Sequence, residues 1–167
     1  MICSECGGLQ YRYNPTQIVD FITGDQFKRE MLRQDAGGKH SDPNYVSQPI
    51  DWDLVISHAE GKSKGLPFVH VTGLPIEFLK LSHDPDIPSR VRQYSLKTTP
   101  YPPIFVSLTN YAIERDKVDN RPIRILVRNG NHRVAAALLR GDTSVDAYMN
   151  LETLRNIRLE FEYDILI

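Results

Sequence analysis

The stretch "ILVRNGNHRVAAALLRG", residues 125–141, decides how this chain is read. Ile125 and Val127 alternate with Leu126 and Arg128, continuing Ile123 and Arg124 upstream. That is the period-2 pattern of a half-buried strand. Asn129-Gly130-Asn131 is a turn signal. From His132 the texture becomes helical, with an alanine run at 135–137, and Gly141 stands where a left-handed cap is expected. The anomaly is the junction. Aligned peptide dipoles leave partial positive charge at a helix N-terminus, and a cation added there costs about 0.3–1 kcal/mol. His132 and Arg133 both fall on that first turn, which implies that something negative completes the site.

A strand, a glycine turn and a helix start make an anion cradle. The first-turn amides have no intrahelical partner and the dipole favours negative charge. Gly130 permits positive φ and close backbone approach. Asn129 or Asn131 is a candidate cap. Arg133 is the candidate charge clamp, since a guanidinium grips phosphate through two parallel bonds. His132 is a candidate hydrogen-bond donor or acid. The plainer alternative is an ordinary turn followed by two solvated side chains.

Working outward, "PTQIVDFITGDQFKREMLRQ" is expected to be helical, with Thr16 as a cap and Gly24-Asp25 interrupting two shorter helices. "DAGGKHSDPNYVSQP" has loop composition, and "IDWDLVISHAEGKSKG" is compatible with a strand or a short helix. From Leu66 short β-like runs follow: "PFVHV", "PIEFLKL", and "YPPIFVSLT" with Ile104 at a strand start. Between them "SHDPDIPSRVRQ" is a polar connection. "NYAIERDKV" suits a helix or turn, "TSVDAYM" a strand and "NLETLRNIR" a helix. In the tail, Leu159, Phe161, Tyr163, Ile165 and Ile167 share one face of an expected strand that joins the sheet or pairs with a second copy. The expected fold is mixed α/β, a small mixed sheet with flanking helices. Residues 1–65 read as an N-terminal extension packed on a core formed by residues 66–167.

Bulk composition narrows the function classes. The chain has 167 residues, 41% hydrophobic and 25% charged, with a net charge of −1. That suits one soluble domain and gives no bulk basic character, so nucleic acid would have to meet a local patch. No apolar run approaches the ~20 residues of a membrane span. The start of the chain lacks a signal-peptide pattern, so a cytoplasmic location and no membrane partner are expected. Cys3 and Cys6 are the two cysteines, which excludes a disulfide framework. Their spacing is that of one zinc knuckle. A closed zinc site needs four ligands, and completion would fall to His40, His58 or a second chain, so zinc at Cys3/Cys6 is not expected.

"NGNHRVAAALLRGDTSVDAYM" resembles the signature box of the ParB/sulfiredoxin-like superfamily: strand, Gly, a variable residue, His or Arg, Arg, and an Ala-rich helix ending in Gly. "YPPIFVSL" resembles the strand before that box, and "PIEFLKLSHDPDIPSR" the region of the family's first box, so the resemblance spans residues 66–150. It implies a nucleotide-binding fold, with ATP or CTP held by Asn129, Gly130, Asn131, His132 and Arg133. For phosphoryl chemistry it also implies Mg2+, with Asp84 and Asp86 as candidate ligands, and with His132 and Glu77 as candidate catalytic residues. His83, beside Asp84, could seed the same metal site, and Arg90 and Arg92 a basic rim.

Departures from the family pattern narrow this. Sulfiredoxins place their catalytic cysteine where this chain has Asn131. The short stretch after Met149 leaves no room for the helix-turn-helix of partition proteins. Asn129 replaces an Asp that often opens the box. The expectation is a stand-alone NTP-binding protein acting as NTPase, phosphotransferase or nuclease. The alternatives are a non-catalytic phage- or plasmid-type accessory protein and a nucleotide-consuming toxin or effector. Nucleotide, nucleic acid and a homodimer through the C-terminal strand are the candidate partners.

Overall fold

The computed structural model describes residues 16–37, 50–62, 65–82, 101–161 and 165–166. The fold is mixed α/β. Its strands are β1 (Thr16–Ile22), β2 (Phe68–Pro75), β3 (Leu79–Leu81), β4 (Ile104–Ser107), β5 (Ile125–Asn129), β6 (Ser144–Asn150) and β7 (Ile165–Leu166). The helices are α1 (Gly24–Gly37), α2 (Trp52–Lys62), α3 (Asn110–Val118), α4 (Asn131–Arg140) and α5 (Leu151–Glu160). A 3-10 turn, Ile76–Phe78, joins β2 to β3. The described strands form one sheet in the order β3-β5-β4-β6-β2-β1-β7. It is mixed: β1/β2, β2/β6 and β4/β5 are antiparallel, while β4/β6, β3/β5 and β1/β7 are parallel.

Alternation along β2 sorts its residues between the two faces. Val69 and Val71 join an aliphatic cluster with Ile104, Val106, Ile125, Val127, Ala147 and Met149, roofed by Ile113 of α3, Val134 and Ala137 of α4 and Leu154 and Ile157 of α5. Phe68 points the other way, into a second cluster with Phe105, covered by Phe27 and Met31 of α1 and Trp52, Ile56 and Ala59 of α2. Phe27 stacks on Phe68 at 3.9 Å and meets Trp52 and Phe105 edge-on. Phe27 and Trp52 are the buried aromatic payload that the N-terminal third lays on Phe68 and Phe105 of the sheet.

The first expected helix is corrected over residues 16–22. Thr, Ile, Val, Phe and Ile favour an extended chain when a partner edge is present, and β2 supplies it through Gln17↔Thr72 to Ile22↔Phe68. Thr16 is a buried residue of β1 whose Oγ1 donates to Gly73 O at 2.8 Å, and it stands in a strand rather than at a helix start. The helix starts at Gly24 instead, behind a capping box. Thr23 Oγ1 accepts from Gln26 N at 3.1 Å, and Gln26 Oε1 accepts from Thr23 N at 2.8 Å.

The segment left open between strand and helix is α2, whose start is closed by Asp51 Oδ1 accepting from Leu54 N at 3.2 Å. "NYAIERDKV" is helical behind the Thr109 cap. The tail is corrected as well. Leu159 lies in α5 and Phe161 follows it, stacking on Phe78 at 4.7 Å, so neither belongs to the last strand. Within the described residues that strand is Ile165–Leu166, and it joins the sheet beside β1. The loop composition of residues 38–49 lies outside the described residues.

Candidate functional site

The strand–turn–helix expected at residues 125–141 is present. β5 ends at Asn129, Gly130 turns the chain with φ 112°, and α4 begins at Asn131. Gly130 is required twice over. Its φ lies in the region that favours glycine, and a Cβ there would sit 2.5 Å from Ile104 Cγ2. The first helical bond runs from Val134 N to Gly130 O at 3.0 Å. At the other end Gly141, φ 90°, makes the expected left-handed cap.

Among the described residues, no side chain caps the start of α4. The other described helices begin behind Thr23, Asp51, Thr109 and Asn150, each accepting from an amide of its first turn. Neither Asn129 nor Asn131 takes that role, which corrects the expectation of a cap. The Asn129 amide lies 4.0 Å from Met31 Sδ. Asn131 is buried: its Oδ1 accepts from Ser82 N and its Nδ2 donates to Ser82 Oγ, both at 2.9 Å. Its side chain fastens the end of β3 to the start of α4, so only its backbone remains available for an anion.

Arg133 is half-buried rather than standing out from the helix. Its Nη1 donates to Pro102 O at 2.9 Å and to Pro103 O at 3.1 Å. Gln34 of α1 shares the second carbonyl, donating to Pro103 O at 2.9 Å and to Glu30 Oε2 at 3.0 Å. The Glu30 carboxyl is held below its ordinary value, first by the hydrogen bond from Arg33, then by Gln34 and by the positive charges of Arg33 and Arg133. A guanidinium is thus pinned beside the helix start by carbonyls, with an ionised carboxylate behind it. Gln34 and the Pro102-Pro103 carbonyls were not legible as site residues, because backbone acceptors and an α1 side chain leave no local motif. His132 is half-buried on the same turn, its Nε2 shut off from solvent.

Glu77 stands elsewhere. It is exposed on the 3-10 turn and lines a depression with Lys80, Arg121, Arg124 and Asp142. That depression meets α4 at Val134 and Leu138, and neither His132 nor Arg133 is among its described lining residues. Asp84, Asp86, His83, Arg90, Arg92, Cys3, Cys6 and His40 lie outside the described residues. His58 is exposed on α2. Among the described residues, no group of three or more His, Cys, Asp or Glu could hold a metal ion. No described helix is long and apolar enough to cross a membrane. No protein-family model, curated protein or solved structure matches this chain.

Proposed function

We propose that this chain binds the phosphates of a nucleoside triphosphate at the start of α4. One observation carries the reading: a glycine-turned helix start that no described side chain caps, next to a guanidinium already anchored in place. First-turn amides and the helix dipole favour an anion. The carbonyl anchor removes most of the ordering cost that a mobile Arg would otherwise bring to binding. The resemblance of residues 129–149 to the ParB/sulfiredoxin-like box supports the same ligand, ATP or CTP with Mg2+, in a stand-alone cytoplasmic domain. The proposal is binding. NTPase, phosphotransferase or nuclease chemistry would need an acid or base beside His132, and Glu77 lines a different depression.

A second reading has its own support. Asn131 and Arg133 both hold the fold together, through Ser82 and through the Pro102-Pro103 carbonyls. A non-catalytic accessory domain would keep those residues for that purpose alone.

Thermal unfolding in the presence of ATP, CTP, GTP, UTP or inorganic triphosphate, each with and without Mg2+, separates the two. A ligand bound only by the folded state adds about 2.7 kcal/mol at ~100 times its dissociation constant. One nucleotide should raise the midpoint, and Arg133→Ala should abolish that rise after its own midpoint is taken as the baseline. No shift with any of these ligands sinks nucleotide binding and leaves the accessory-domain reading.

A further inference from the structure

At one edge of the sheet, β3 and β5 present different residues to its two faces. Ile125 and Val127 of β5 and Leu79 of β3 enter the aliphatic cluster. Alternation therefore turns Arg124, Leu126, Arg128 and Lys80 to the opposite face, where the strand register sets Lys80 beside Leu126. On that face the cluster under α1 and α2 includes Phe68 and Phe105 of β2 and β4 and, among the described residues, takes none from β3 or β5. Lys80, Arg124 and Arg128 are accordingly exposed, and Leu126 is half-buried between them.

The three cations are a local excess in a chain whose net charge is −1. Lys28, Lys117 and Arg121 each have a carboxylate partner, whereas Lys80, Arg124 and Arg128 have none among the described residues. Several carboxylates line the depression beside Lys80 and Arg124. Of these, Asp116 and Asp142 are engaged by Arg121 and Arg140, and Asp146 by Thr72, which leaves Glu77 to oppose the three. Both arginines are already oriented. Arg124 Nη2 donates to Leu79 O at 2.7 Å, and the Arg128 guanidinium lies 5.9 Å from the centroid of the Phe105 ring. Such anchoring lowers the ordering cost of binding.

We infer that this face holds the backbone of a single-stranded nucleic acid. Four strand residues separate Arg124 from Arg128, about 13 Å, with Lys80 beside the midpoint. That is a line of cations for a chain of phosphates, and the apolar Leu126 among them suits the flat face of a base. An acidic peptide would match the charge and leave Leu126 unused. A duplex is read by a helix or β-ribbon entering a groove, and an open sheet face offers neither. Neither β3 nor β5 carries an aromatic residue on which bases could stack, so binding is carried by phosphate contacts and does not read sequence. The inference does not depend on nucleotide binding at the start of α4.

Fluorescence anisotropy of a labelled oligothymidylate titrated with the full chain, between about 50 and 200 mM salt, tests it. Three phosphate contacts give log K against log salt a slope of about −2, so binding should weaken roughly 20-fold across that range. Lys80→Gln and Arg128→Gln should each weaken binding and flatten the slope by about 0.7. Lys80 is exposed, so its variant decides the matter should Arg128→Gln fail to fold. Arg155→Gln makes the same change in net charge on α5, which packs on the other face of the sheet, and should leave both quantities unaltered. A dissociation constant weaker than about 100 μM at the low-salt end overturns the inference. So does an equal loss in Arg155→Gln, or a slope that Lys80→Gln and Arg128→Gln leave untouched. Tighter binding of a duplex of the same length, or of an oligoglutamate peptide, would assign the face to that partner instead and overturn it as well.

Discussion

Two helix starts in this molecule are built in opposite ways. At α1, Thr23 and Gln26 exchange two hydrogen bonds, and Asp25 places a negative charge on the first turn. At α4 there is a left-handed glycine, no capping side chain among the described residues and no acidic residue in the first turn. One start is closed by its own local sequence. The other is held by distant groups: Ile104 against Gly130, Ser82 on Asn131, and the Pro102-Pro103 carbonyls on Arg133. The difference teaches where an external anion fits. At α1 it would compete with Thr23, Gln26 and Asp25, whereas at α4 the first turn carries Arg133, no acidic residue and a dipole of the right sign.

The comparison breaks most visibly at Gly130. Gly130→Ala forces a Cβ into the left-handed region and against Ile104 at 2.5 Å. It should lower stability by on the order of 2–4 kcal/mol, read from urea unfolding, because backbone strain and overpacking act together. A cost under about 0.5 kcal/mol would mean that α4 does not start on Gly130 as described.

Thr23→Ala sharpens the contrast with a smaller effect. It removes the capping oxygen of α1 and should cost about 1 kcal/mol, with nucleotide-induced stabilisation unchanged. If the substitution weakened nucleotide binding as much as Arg133→Ala, the two helix starts would not be doing separate jobs.

The smallest effect concerns Asp146. Its carboxyl is held below its ordinary value by His70 first, then by Thr72 and the Gly73 amide, against desolvation. A depressed carboxylate contributes stability above its unfolded value and loses it as pH falls through the folded value. Asp146→Asn should therefore flatten the acid limb of the stability curve below about pH 4, while changing the α4 site little. An acid limb identical to wild type would show that the carboxylate is not linked to folding.

Much of the fold was legible because local patterns agreed with it. The alternation of Ile125 and Val127, Ile104 as a strand start and Gly141 as a left-handed cap all appear where the spacing placed them. Thr23-x-x-Gln26 was equally readable as a capping box and would have placed the start of α1. Residues 16–22 misled because their apolar spacing fits a helix nearly as well as a strand, and β2 decided between them. The tail misled in the opposite direction. Alternation continued through Leu159 and Phe161, yet α5 ran on because Asn150 caps it and Ile157 is buried in the core.

Local sequence sufficed for the mixed α/β class and for the strand–glycine–helix at residues 125–141, with a glycine at position 130 that permits positive φ. Backbone conformation and amphipathic period are local properties, so neighbouring residues suffice to specify them. Only the tertiary structure decided that Asn131 holds Ser82, that Arg133 rests on carbonyls shared with Gln34, and that Glu77 faces a different depression. It alone set His70 between Asp20 and Asp146. Those partners lie far apart along the chain, and strand order and register, which follow from burying both faces of the sheet, bring them together.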